Sequence, residues 1–240
     1  MRKPFRHVTF KHSKMPSHKR GGNGKENIVM YDVYFDSMKQ KVPEMVCGDH
    51  GIEVESYGGV RELSLETRHF INRKLFLTGT VSHKMANTFV SELLYLSQTD
   101  EPIDIHINSP GGSVNAGLVI YDVIQSCEGK IPINMYCIGS ASSMGAVILA
   151  GGQKGRRYIL PHSKVMIHEP LIADGMGGSA STIKKTAESI LETKEIINGI
   201  ISKHTGKTIE EVDEATSFDN FMNAEEAIAF GLCDEIKSLF

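Results

Sequence analysis

The sequence predicts an α/β fold built on a parallel sheet, and three observations carry that prediction. Short β-rich runs alternate with amphipathic helical runs from about Arg73 onward, and Gly or Pro turns close them. Alternation of this kind implies right-handed crossovers, which leave neighbouring strands parallel. With 240 residues and 40% hydrophobic content, the chain can bury one substantial core.

Taken in order, the "RELSLETRHFI" stretch reads as a helix. "KLFLTGTV" is a strand ending at a Gly turn, and "HKMANTFVSELLYLSQ" puts Met85, Phe89, Leu93 and Leu96 at helical spacing. "IDIHINSPGG" is the next strand, closed by Ser-Pro-Gly-Gly. The helical period then resumes through Val114, Leu118, Tyr121 and Ile124. "IPINMYCIGS" gives a third strand, and "MGAVILAGG" a short buried helix stopped by Gly151 and Gly152. "RRYILPHSKVMIHEP" holds two short strands around a Pro turn, and a long helix runs from about Ala180 to Lys203.

Charge separates one segment from the rest. Residues 1 to 25 carry eight Lys or Arg and no acid, leaving −11 of the −3 total for the remainder. Residues 1–27 are expected to form a basic, disordered arm, with nucleic acid an unlikely target. Residues 28–60 are an atypical segment, either an extra hairpin or an irregular arm. The main folded domain is expected over 61–240. No run of 18 apolar residues occurs, and the amino terminus lacks a secretory apolar block, so a cytoplasmic protein without a membrane span is expected. Cys47, Cys127, Cys137 and Cys233 have no CxxC spacing, and no HExxH pair occurs; reduced thiols and no metal site are expected.

The candidate chemistry lies in "GSASSMGA", residues 139 to 146. A serine at a strand-to-helix turn can attack a carbonyl, but Ser140, Ser142 and Ser143 are equal candidates on chemistry alone, and all three could be caps or packing residues. Backbone N–H groups for an oxyanion are available from the "NSPGGS" turn and from the start of the helix after Ser143. Both follow strands at the carboxyl edge of the inferred sheet, where sites of α/β proteins gather. Alone, His168 reads better as a buried hydrogen-bonded histidine than as a base. Asp219 could be a helix cap, although Asn223 fits that task better.

Three motifs together carry a resemblance. "HINSPGGSVNAGLVIYDVIQ", "CIGSASSMGAVILAGGQKGRRYILPHSKVMIHEPL" and "FDNFMNAEEAIAFGLCDEI" closely resemble, in order and spacing, the proteolytic subunits of the ATP-dependent Clp protease family. The resemblance covers about Leu75 to Ile236. It implies the crotonase-related fold of repeated ββα or βαβ units, with a protruding handle strand and long helix over about 168–203. It also implies a serine endopeptidase with Ser143 as nucleophile, His168 as base and Asp219 as acid. Oxyanion donors fall on the backbone of Gly112 and Met144, and substrate contacts on Gly111, Gly175, Met176 and Gly177. The family further implies heptameric rings stacked as a tetradecamer, an AAA+ Clp-type unfoldase as partner, unfolded proteins as substrates, and no cofactor in this subunit. A specialised, non-catalytic ring subunit, a phage-type capsid maturation protease and an acyl-CoA enzyme of the crotonase type are the alternatives. The sequence departs from the family pattern at Ser217 and Phe218, where Asp-Arg is usual, at Glu169, where Gln is common, in a handle about two residues longer, and at the amino terminus.

Overall fold

Alternating apolar residues and well-placed caps set the elements. The computed structural model describes residues 52–56, 59–172 and 177–239. The basic arm and most of the 28–60 segment, with Cys47, lie outside them. β1 (Ile52–Ser56) pairs antiparallel with β2 (Gly59–Leu63). The helix expected from Arg61 therefore starts later, as α1 (Leu65–Ile71). Ser64 takes the N-cap, its hydroxyl accepting from the Thr67 amide at 3.2 Å.

The main sheet begins with β3 (Lys74–Thr78), followed by α2 (His83–Leu96), β4 (Ile103–Ser109), α3 (Val114–Ser126), β5 (Ile133–Ser142) and α4 (Met144–Ala150). Then come β6 (Arg157–Ile159), β7 (Lys164–Ile167), α5 (Ala180–Thr205), α6 (Ile209–Thr216), β8 (Asn220–Met222), α7 (Ala224–Phe230) and β9 (Glu235–Ile236). Strand order is β3-β4-β5-β6-β9, all parallel, as the alternation predicts. Leu75, Leu77, Ile103, Ile105 and Ile107 point to the helices and are fully buried; each such side chain contributes about 1.5–3 kcal/mol relative to exposure. Phe76, His106, Tyr136 and Tyr158 form a stacked row across the other face.

β5 organises the site because its long edge serves two partners. Met135 to Cys137 pair with β6, whereas Ser140 to Ser142 pair with β7. Between these stretches the register with β4 shifts, and Asn108 Oδ1 accepts the Ser140 amide at 3.1 Å in place of a strand bond. Gly139 makes room for that amide side chain, since a Cβ there would stand 2.6 Å from Asn108 Oδ1. The bulge carries the end of β5 out to meet β7, which pairs antiparallel with β8.

Three details differ from the sequence reading. The buried face of α3 is Ala116, Gly117, Ile120, Tyr121 and Ile124, with Val114 and Leu118 only partly buried. α4 does stop at Gly151, but with φ −68° rather than a left-handed cap. Glycine is needed there for packing: a Cβ would stand 2.6 Å from the Tyr121 ring. In the handle, α5 forms as expected. Residues 168–172 and 177–179 carry no strand pairing within the single chain, and Pro170 has no N–H to offer one. No helix among the described residues is long and apolar enough to cross a membrane.

Candidate active site

Ser143 occupies the tight turn between β5 and α4 with φ 54° and ψ −124°, a left-handed backbone that a side chain rarely adopts. Such strain costs about 1–3 kcal/mol and persists only where surroundings impose it. Here they do. The Ser143 amide donates to Met166 O at 2.8 Å, and its carbonyl accepts from the Ala146 amide at 2.9 Å. Every residue of α4 is buried, so the helix that follows the turn is fixed in the core. The hydroxyl is thereby held at the sheet edge.

Strand register then delivers the partners. β5 and β7 pair in parallel through Ser142 and Met166, and β7 pairs antiparallel with β8 through Ile167 and Asn220. One step further along the β7–β8 ladder sets His168 opposite Asp219. His168 Nε2 lies 2.9 Å from Ser143 Oγ, and His168 Nδ1 lies 3.0 Å from Asp219 Oδ1. The tautomer that satisfies both contacts has Nδ1–H donating to the carboxylate and Nε2 accepting from the hydroxyl. Asp219 is solvent-exposed, with 59% of its side chain accessible against 16% for His168.

The glycine turn after β4 packs directly on this serine. Gly111 has φ +91°, and a Cβ on it would stand 2.6 Å from Ser143 Cβ and 3.0 Å from Met144 N. Gly112 bridges Val81: the Val81 amide donates to Gly111 O at 2.8 Å and the Ser113 amide to Val81 O at 2.9 Å. In a parallel bridge of this kind the N–H of the central residue points away from the partner strand, which leaves the Gly112 amide available. The Met144 amide opens α4, where no preceding turn supplies an acceptor. The Met144 amide thus follows the serine directly, and the Gly112 amide lies one residue beyond the Gly111 that packs on Ser143.

The remaining candidates sort out by place. Ser140 serves the bulge through its amide, and Ser142 is paired with Met166 in the ladder. Asn223, not Asp219, caps α7 in a capping box with Glu226. Gly177 faces open space. Gly175 and Met176 lie outside the described residues.

The model of the Clp protease family matches residues 58–239. This chain belongs to the Clp protease family. The Clp protease match takes in every strand of the main sheet and all of the residues just described. Within this Clp protease domain, the Glu169 carboxylate meets Lys194 of α5 at 3.1 Å. Sequence reading missed α6 and the polar residues between it and α5, namely Lys194, Asn198, Asp213 and Thr216. A signal for α6 was present in "TIEE": Thr208 and Glu211 form a capping box, with bonds of 3.2 and 2.8 Å.

Proposed function

We propose that this chain is a serine endopeptidase, the proteolytic subunit of an ATP-dependent Clp-type protease that cuts unfolded polypeptides inside a ring chamber. The observation that carries the reading is the unbroken hydrogen-bonded run from Asp219 through His168 to Ser143. His168 Nε2 accepts the Ser143 proton as Oγ attacks the scissile carbonyl. The carbonyl oxygen, now negative, accepts hydrogen bonds from the Gly112 and Met144 amides; one such donor contributes about 3 kcal/mol to the barrier reduction. His168 then gives its proton to the leaving amine, and water, activated by the same imidazole, releases the acyl group from Ser143. Asp219 holds the tautomer and balances the imidazolium.

Water and protein groups suffice for this hydrolysis, so the subunit needs no metal or organic cofactor. ATP is consumed by an AAA+ unfoldase of the Clp type that feeds the chamber. Heptameric rings, stacked in pairs as a tetradecamer, enclose it, and the extended substrate lies along Gly111, Gly175, Met176 and Gly177, pairing through its backbone. The enzyme works in the cytoplasm, in keeping with its unpaired thiols at Cys127, Cys137 and Cys233.

The test is labelling with a fluorophosphonate, cleavage of a short fluorogenic peptide, and native mass by light scattering, on wild type and Ser143→Ala. Wild type should be labelled at Ser143 and cleave the peptide as a ring-sized particle, and the variant should do neither at the same mass. Assembled wild type that is neither labelled nor active would mean a non-catalytic ring subunit.

A further inference from the structure

The exposed acid of the triad raises a question of support. Among the described residues, His168 Nδ1 is the one hydrogen-bond partner of the Asp219 carboxylate. No other described residue bonds that side chain, so its place depends on the backbone that leads to it and on the backbone that carries the base. Both backbones are tied to one side chain of the long helix.

Lys194 lies near the middle of α5. Its Nζ is 3.1 Å from Glu169 Oε2 and 2.7 Å from Asp213 Oδ1. Glu169 immediately follows the base. Asp213 belongs to α6, whose end leads through Ser217 and Phe218 to the acid. The connection continues on both sides. The Glu169 amide donates to Thr216 O at 2.7 Å, and Ser217 Oγ donates to Asp213 O at 2.7 Å. Asn220 Nδ2, just beyond the acid, donates to Ala215 O at 3.1 Å. Asn198, one turn after Lys194, donates from Nδ2 to Asp213 Oδ1 at 3.1 Å and accepts from Thr216 Oγ1 at 3.4 Å. Asn198 and Thr216 are buried beneath the two ion pairs, whose carboxylates are about half exposed, so the part of the joint shielded from water is the Asn198–Thr216 contact. Its hydrogen bonds to Asp213 and Glu169 hold the Lys194 ammonium pKa above its ordinary value.

We propose that Lys194 is a positioning residue: by bonding Glu169 and Asp213 at once, it sets the separation of the segments that carry His168 and Asp219. The proposal rests on the triad reading above. It assigns α5, outwardly a handle, a second task inside each subunit. Loss of the ammonium frees two carboxylates that then repel, and the base and acid separate while the substrate groove around Gly111 is untouched.

The test compares full-length wild type, Lys194→Met, Lys194→Arg and Glu169→Gln. It measures kcat and KM on the fluorogenic peptide, the fluorophosphonate labelling rate at Ser143, melting temperature and native mass. Lys194→Met should lower kcat and labelling together by about 10–100-fold, with KM changed less than about 2-fold, the range a small misplacement of catalytic groups produces. Lys194→Arg, which keeps the charge and can fork between two carboxylates, should recover most of the loss. Glu169→Gln, which leaves the Asp213 pair intact, should lower labelling by about 3-fold at unchanged mass, as expected for one of two coupled bonds. Folded, assembled Lys194→Met that is labelled at the wild-type rate overturns the proposal, as does a loss that Lys194→Arg does not recover. If Lys194→Met fails to assemble, Glu169→Gln decides, and an unchanged labelling rate overturns the proposal. Wild type that leaves Ser143 unlabelled removes the peptidase reading and this one with it, whereas labelled wild type with an indifferent Lys194→Met removes this one alone.

Discussion

His168 and Asp219 form the next antiparallel pair beyond the β7–β8 ladder, whose last bonded pair is Ile167 with Asn220. His168 and Asp219 are thus set opposite each other by strand register, and a one-residue slip of β8 would turn the carboxylate to the other face of the sheet. Asp219→Asn keeps the register and the size of the side chain but favours the wrong imidazole tautomer. A buried acid of this kind is worth about 10⁴-fold in kcat. Because Asp219 is more than half exposed, water shares its task, and we expect a loss of about 10²–10³-fold with KM nearly unchanged. Steady-state kinetics on the fluorogenic peptide would measure it, and a kcat within 3-fold of wild type would remove Asp219 from the triad.

Gly111 and Ser143 are packed so closely that the smallest side chain should separate them. Gly111→Ala places a methyl 2.6 Å from Ser143 Cβ and 2.7 Å from Ser142 O, and does so at φ +91°. The contacts are with backbone and a fixed turn, so neither neighbour can rotate aside. We expect about 1–3 kcal/mol of destabilisation and at least about 10²-fold loss of fluorophosphonate labelling, since both the Ser143 side chain and the Met144 amide are displaced. Gly155→Ala is the matched control, at φ +80° with open space around its Cβ; it should share the backbone penalty but keep the labelling rate. Equal labelling losses in the two variants would show that backbone strain, not the contact, matters.

Much of this site was legible because its parts are local patterns. The β-rich runs around Leu75, Ile105 and Met135 announced the parallel strands, and Met144 and Gly145 singled out Ser143 among three serines through family spacing. The strain at Ser143 was not legible, because its positive φ is imposed by the Met166 carbonyl and by α4 rather than by its own residue type. Likewise, the reach of Lys194 to Glu169 and Asp213 spans three elements that only tertiary packing assembles. The period of α3 pointed at Val114, Leu118, Tyr121 and Ile124; Tyr121 and Ile124 are buried, but in the first turns Ala116 and Gly117 take the buried face while Val114 and Leu118 stay partly exposed. Gly117 explains this: a Cβ there would collide with the Met144 side chain, so this part of α3 must face α4. The capping box in "TIEE" is the local signal for α6.

Cys137 and Cys233 should behave as inert core residues. Burial pushes the Cys137 thiol up to about 11 and the Cys233 thiol up to about 12, so almost no thiolate exists at neutral pH. Native protein treated with iodoacetamide at pH 7.5 should keep its peptidase activity and show neither residue alkylated by peptide mass mapping. After unfolding in guanidinium, both should react fully. Rapid modification of either thiol in the folded enzyme would mean that the β5–β6 region opens on the timescale of labelling.

Arg157 and Asp234 lock the far end of the sheet to the helices, and their coupling predicts an acid limit of stability. Arg157 is 1% exposed; its Nε and Nη2 reach the two carboxylate oxygens at 2.9 and 2.6 Å. Its Nη1 donates to Ala150 O at 3.2 Å and His204 O at 3.3 Å, the carbonyl ends of α4 and α5, where a cation is favoured. Burial alone would raise the Asp234 pKa, but the hydrogen bonds and charge of Arg157, with the Gly155 amide, outweigh it and hold the pKa down to about 2. A depressed carboxyl pKa contributes stability above the unfolded value of about 4, and that contribution disappears as pH falls through about 2. The difference of nearly two units corresponds to about 2 kcal/mol. Asp234→Asn strands the buried guanidinium, so at pH 7 it should cost about 3–5 kcal/mol. Denaturant unfolding of both proteins at pH 7, 4 and 2, at matched concentration, would measure the gap between them. It should stay constant from pH 7 to about 5 and shrink by about 2 kcal/mol towards pH 2, because wild type then loses the same charge that the variant lacks. A gap that does not narrow in acid would mean that Asp234 keeps an ordinary pKa, and that the fork to Arg157 adds nothing to its ionised form.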